Sequence, residues 1–138
     1  MVKAAGLTGA ALEGKASAGR KLAGDAAEAQ ALGFLQARGL SLVQRNYRVA
    51  RGASAPGGEV DLILRAPDGT LVFVEVRSRR STAQGGAAAS IGSAKRRRLV
   101  YAAQHFLLAL PTPPPCRFDV VAIDDGHIEW LPAAFDAG

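Results

Sequence analysis

The sequence predicts a mixed α/β fold, a central sheet of about five strands flanked by helices, from an element order of helix, three strands, helix, two strands. Three observations carry that reading. Two stretches, about Arg20–Arg38 and about Ser93–Leu110, place apolar residues at helical spacing. Between them, residues 57–80 read GGEVDLILRAPDGTLVFVEVRSRR, two β-branched and Leu-rich runs about a turn. After the second helix, RFDVVAID and the run from His127 to Leu131 flank Asp124-Asp125-Gly126 and form another hairpin.

Taken in order, residues 1–18 are rich in Ala and Gly with little periodicity and read as a disordered tail, leaving 19–138 as a single domain. In the first helix Ala27, Ala31, Phe34, Leu35 and Arg38 recur at helical spacing, and Gly39 ends it. Glu28 sits near the buried edge. It is either an early-turn acid favoured by the helix dipole or a fourth acid approaching an acidic centre. Leu40 to Arg51 alternates as a strand with an irregularity. Arg45, Arg48 and Arg51 are phosphate contacts on this reading, and Tyr47 packs in the core or stacks on a base. Pro67-Asp68-Gly69 supplies the turn of the central hairpin: proline presets φ, and glycine accepts a positive φ. Ser78 to Gly92 is a polar loop, Ser93 caps the second helix, and Pro111–Pro115 end it. Cys116, opening the next strand, reads as a buried structural thiol, and Trp130 and Phe135 close the core.

The charges are unevenly spread. The net charge is +5. From Arg38 to Arg117 there are 13 Lys or Arg and only four Asp or Glu, and three of those four acids, Glu59, Asp61 and Glu75, lie in the apolar central hairpin. Residues two apart on a strand share a face, which pairs Glu59 with Asp61 and Glu75 with Arg77. Burying a carboxylate is costly unless it is paired, hydrogen-bonded or metal-bound, so three acids beside a cation look like a divalent-metal site. A basic surround with an acidic centre suits phosphate-backbone chemistry: cations hold the polyanion and carboxylates hold the metal. The run Lys95-Arg96-Arg97-Arg98 in the first turns of the second helix opposes the helix dipole, for which nucleic-acid phosphate is the natural compensation. Lys95, four before Leu99, points along the apolar face toward the core or the site.

Other function classes lack support. There is no Walker-type phosphate loop and no GxGxxG after a strand. Neither His stands in a metal-ligand cluster, and both, His127 included, read as structural. No apolar run approaches the ~20 residues that span a bilayer. With one cysteine and no signal-like start, the expected location is the cytoplasm, with no membrane partner.

The arrangement of GEVDLI, then FVEVR, a basic helix and RFDVV resembles the YraN-like family of uncharacterised bacterial proteins. That family in turn resembles the restriction-endonuclease-like PD-(D/E)xK superfamily, with archaeal Holliday-junction resolvases as its nearest characterised look-alikes. The resemblance covers roughly Gly24 to Phe135. It implies a restriction-endonuclease-like α/β sheet and a metal-dependent endonuclease acting on DNA, with branched DNA the resolvase-like substrate. Carried over by position, Asp61 resembles the motif's Asp, Glu75 its second acid, Glu28 the helix-one Glu of resolvase-like members, and Glu59 the added acid of the GE-x-D form. The expected metal, Mg²⁺ or Mn²⁺, is then held by Asp61, Glu75 and the Val76 carbonyl. Arg45, Arg48, Arg79, Arg80, Arg96, Arg97 and Arg98 hold the nucleic-acid backbone. A resolvase-like role also implies a homodimer, since two symmetric strands must be cut.

One position departs from the pattern. The usual Glu-x-Lys is here Glu75-Val76-Arg77. Arginine offers planar donors to phosphate but cannot act as a base. Three outcomes follow: Arg77 suffices, Lys95 supplies the missing lysine from the helix, or cleavage is lost and a non-catalytic nucleic-acid-binding protein with a nuclease fold remains. A protein-interaction domain with a basic face is a further alternative, and it leaves the clustered acids unexplained.

Overall fold

The computed structural model describes residues 18–52, 56–79, 91–124 and 126–137. The expected tail, Arg80, Asp125 and most of the loop from Ser78 to Gly92 lie outside the described residues. Helix α1 (Ala18–Gln36) buries Ala27, Ala31 and Leu35. It ends at Gly39, which takes φ +97, while the Leu40 N–H reaches back to the Leu35 carbonyl at 3.2 Å. Strands β1 (Ser41–Val49), β2 (Gly58–Arg65) and β3 (Leu71–Arg79) follow. Between β2 and β3, Gly69 adopts φ +95 and Asp68 accepts the Thr70 N–H at 3.0 Å, as the turn chemistry requires. Helix α2 (Ser93–Leu108) then crosses over to β4 (Cys116–Asp124), and β5 (His127–Phe135) closes the order.

The sheet runs β1-β2-β3-β4-β5, antiparallel throughout except for the parallel pair β3–β4 that α2 connects. This is the α/β architecture the sequence predicts. Val72 and Val74 pack in the cluster that holds Ala27, Ala31 and Leu35 of α1. Leu71 and Phe73, alternating with them, pack with Leu99, Ala102 and Ala103 of α2. The helices therefore cover opposite faces. Trp130 packs against the first cluster, and Phe135 stacks on Phe118 in the second at 5.2 Å. Tyr47 meets Phe106 edge-on at 5.3 Å, so its ring belongs to the core.

Two sequence expectations are corrected. Cys116 is exposed, because it is the first residue of β4 and follows an exposed proline. The N-cap of α2 is Gly92, in extended conformation with no side-chain cap, so Ser93 is the first helical residue.

The sheet is irregular where the acids lie. In a regular strand Val60 and Leu62 would share a face, yet Val60 packs with α2 and Leu62 with α1. Opposite this break, Asn46 takes φ +52, between Arg45, which pairs with Leu62, and Tyr47, which pairs with Val60. The β2–β3 ladder stops at Leu62–Val74, while β3 continues against β4 to Arg79. The strands thus part company at Asp61. Close by, β2 seats the helix backbone: a Cβ on Gly58 would lie 2.5 Å from the Arg98 carbonyl and 2.7 Å from the Ala102 nitrogen.

Candidate functional site

Where β2 leaves β3, the Asp61 carboxylate takes over a ladder bond: the Val76 N–H donates to Asp61 Oδ2 at 2.8 Å. Extending the register by one step places Glu75 opposite Asp61. Glu75 is only 3 % exposed, yet its Oε1 has no hydrogen-bond partner. Its other oxygen faces two cations, Lys95 Nζ of α2 at 3.5 Å and Arg77 at 4.0 Å. Burial, and then the charge of Asp61, push Glu75 up to about 8, against the pull of Lys95 and Arg77. Burial also raises Asp61, opposed first by the Val76 N–H and then by Lys95.

Glu28 approaches from α1. It stands 3.7 Å from Arg45 and is pushed up to about 7 by burial and by the Asp61 charge. Its Oε1 is buried without a hydrogen-bond partner. Glu59 is turned to Arg98 of α2, at 3.4 Å. Asp61, Glu75, Lys95 and Arg77 are therefore brought together, with Glu28 and Glu59 on their flanks.

The arrangement can do three things chemically. A buried carboxyl that burial holds protonated releases its proton when a cation takes its place. A hard divalent ion prefers oxygen donors, and the unpartnered Glu75 Oε1 is one. Lysine and arginine beside them present positive charge to an anion. Among the described residues no group of three or more His, Cys, Asp or Glu is placed to hold a metal ion, so the fit rests on Asp61, Glu75 and backbone oxygen.

The expected phosphate contacts divide. Arg45 is spent on Glu28, and Arg98 on Glu59 and on the Gly57 carbonyl. Arg48, Arg96 and Arg97 are exposed, Arg79 ends β3, and Arg80 lies outside the described residues. His127 is exposed at the start of β5.

Sequence reasoning assigned no role to Asp119. It is fully buried and accepts from the Trp130 indole at 2.9 Å, the Ala133 N–H at 2.9 Å and Arg117 Nε at 3.0 Å. An acid set between apolar residues in RFDVV, two residues from an arginine, was the signal. The Arg98–Glu59 pair also had one: Arg98 is three residues after Lys95 and so shares its side of the helix.

Residues 27–123 match the model of "Uncharacterised protein family UPF0102". A UPF0102 protein of Paracidovorax citrulli is 64% identical over 119 residues, covering 86% of this chain and 85% of the relative. Another, from Methylibium petroleiphilum, is 58% identical over 117 residues, covering 85% and 96%. A third, from Albidiferax ferrireducens, is 61% identical over 118 residues, covering 85% and 89%.

Proposed function

The chain belongs to the uncharacterised protein family UPF0102, the YraN family, and from that premise we propose that it is a Mg²⁺- or Mn²⁺-dependent endonuclease-like phosphodiesterase acting on DNA. The observation that carries this reading is the position of Lys95. Its Nζ lies 3.5 Å from Glu75, closer than Arg77 at 4.0 Å, so α2 delivers a lysine to the carboxylates where β3 offers arginine.

Asp61, Glu75 and the Val76 carbonyl would hold the cation, which supplies positive charge to the scissile phosphate when bound. Lys95 and Arg77 stabilise the charge that develops on the phosphate oxygens. Glu59 or Glu28, on the flanks of the carboxylates, would orient a water at the cation. Arg98 orients Glu59 at the edge of the site.

The second reading, a nucleic-acid-binding protein that keeps a nuclease fold without cutting, draws on one observation: Arg77 occupies the lysine position of the motif and leans on Glu75. Cleavage of labelled linear, flapped and four-way DNA, in Mn²⁺, Mg²⁺ or EDTA, separates the two. For the nuclease, native protein cuts only with metal. Asp61→Ala abolishes cutting while sparing DNA binding, and Lys95→Ala slows it by roughly a hundredfold. Undiminished cutting by Asp61→Ala would sink the metal assignment. Binding without cutting by the native protein, with cutting restored in Arg77→Lys, establishes the second reading.

A further inference from the structure

We infer that α2 carries, beside the carboxylate site, a track for one unpaired strand of DNA, with the Arg51–Tyr101 pair as its base-stacking platform. Two cavities make the track. The first, of about 420 Å³, is lined by Arg51, Arg96, Arg97, Tyr101 and Gln104, with Asp136 at its wall. The second, of about 380 Å³, is lined by Arg48, Arg51, Gly58, Glu59 and Arg98. Arg51 belongs to both, so the cavities adjoin, and the second ends at Glu59, on the flank of Asp61.

Among the described residues no carboxylate lies within ion-pair distance of Arg48, Arg51, Arg96 or Arg97, in contrast to Lys95 and Arg98 on the inner side of the helix. No acid stands in the first turn of α2 to offset its basic run against the helix dipole. Two of these guanidinium groups also lie over aromatic rings. Arg51 lies over the Tyr101 ring at 4.7 Å and Arg96 over the Phe135 ring at 5.3 Å. A guanidinium stacked on an aromatic ring keeps its N–H edge for phosphate and presents a planar surface to a base. Gln104, in the same cavity, carries an amide donor and acceptor suited to a base edge.

The aromatic partner adds to the phosphate contacts a face on which a base can lie. Base stacking requires an unpaired base, and phosphates alternating with planar platforms are what a single strand presents. A strand leaving the carboxylates would pass Arg98 and Arg48, turn at Arg51, and lay a base on the platform with its phosphate at Arg96 and Arg97. This inference rests on the nucleic-acid reading above but not on catalysis.

The test is fluorescence anisotropy in EDTA, with labelled oligo-dT and a duplex of equal length, on the full chain. Tyr101→Ala and Arg51→Lys, which keeps the charge but loses the plane, weaken oligo-dT binding roughly tenfold and leave the duplex within about twofold. Tyr101→Phe binds as the native protein does, which shows that the ring and not the hydroxyl is used and guards against misfolding. Oligo-dT affinity unchanged in Tyr101→Ala and Arg51→Lys, or an equal loss on both probes, overturns the track. Native protein that binds neither probe overturns the nucleic-acid reading itself. Asp61→Ala cleavage, measured separately, bears on the nuclease alone.

Discussion

Asp119 shows how much one side chain can hold. Its carboxylate joins β4 to β5 by accepting the Trp130 indole N–H and the Ala133 N–H, while Arg117 neutralises it. Truncation would strand three donors, two of them uncharged, against the sheet. Asp119→Ala is expected to cost about 2–4 kcal/mol in urea unfolding, and Asp119→Asn less, because the amide oxygen still accepts one bond. Equal stability of the alanine variant and the native protein would refute the assignment. The acid was visible in RFDVVAID, but its donors were not. Ala133 takes φ +50 within a register shift between β4 and β5, and no local pattern announces where its N–H goes. For Cys116 the local rule failed outright: a thiol entering a strand is usually covered, but this one sits at the uncovered start of β4.

Helix α2 connects the parallel strands and also brings Lys95 to Glu75 and Arg98 to Glu59. Its seat is Gly58, where the backbones approach too closely for a side chain. Gly58→Ala puts a methyl against the Arg98 carbonyl and the Ala102 nitrogen, and backbone cannot give way as a side chain would. The expected cost is about 1–3 kcal/mol of stability, read by denaturant midpoint. Lifting the helix should also reduce metal-dependent cutting, where present. Stability at the native level would mean that the helix rides higher than its contacts indicate. The helix itself was legible from Leu99, Ala102, Ala103 and Phe106 at helical spacing. Its cap was not, because extended backbone at Gly92 serves without any side-chain bond.

The acidic centre governs how the fold responds to pH. Glu28 at about 7 and Glu75 at about 8 both titrate above the ordinary 4.5 because burial disfavours their charged forms. The folded protein therefore retains protons that the unfolded chain has already lost. Their contribution is fully present below about 4.5 and is lost as pH rises through about 7 and about 8, so stability falls across that window. Lys95, Arg77 and Arg45 reduce the penalty, while Asp61 adds to it. Thermal melts followed by circular dichroism from about pH 5 to about pH 9 should show a falling Tm, with a shallower fall in Glu75→Gln. A native Tm that rises over this range would contradict the burial of these acids.

Periodicity, turn residues and charge clustering act between near neighbours, so the chain could be read for its element order, its turn at Gly69, the end of α1 at Gly39 and the three acids of the central hairpin. The grouping of Asp61 with Glu75 was legible too, since a hairpin's register follows from its turn. Which cations meet those acids was decided only in three dimensions. Lys95 is 20 positions from Glu75 and Arg98 39 from Glu59, and neither distance along the chain carries information until the sheet order and the seat at Gly58 place α2 over β2. The break of alternation at Asp61 belongs to the same class. Strand periodicity assumes a regular ladder, and here the packing of Val60 on one helix and Leu62 on the other overrides it, because burying both side chains outweighs keeping the pleat regular.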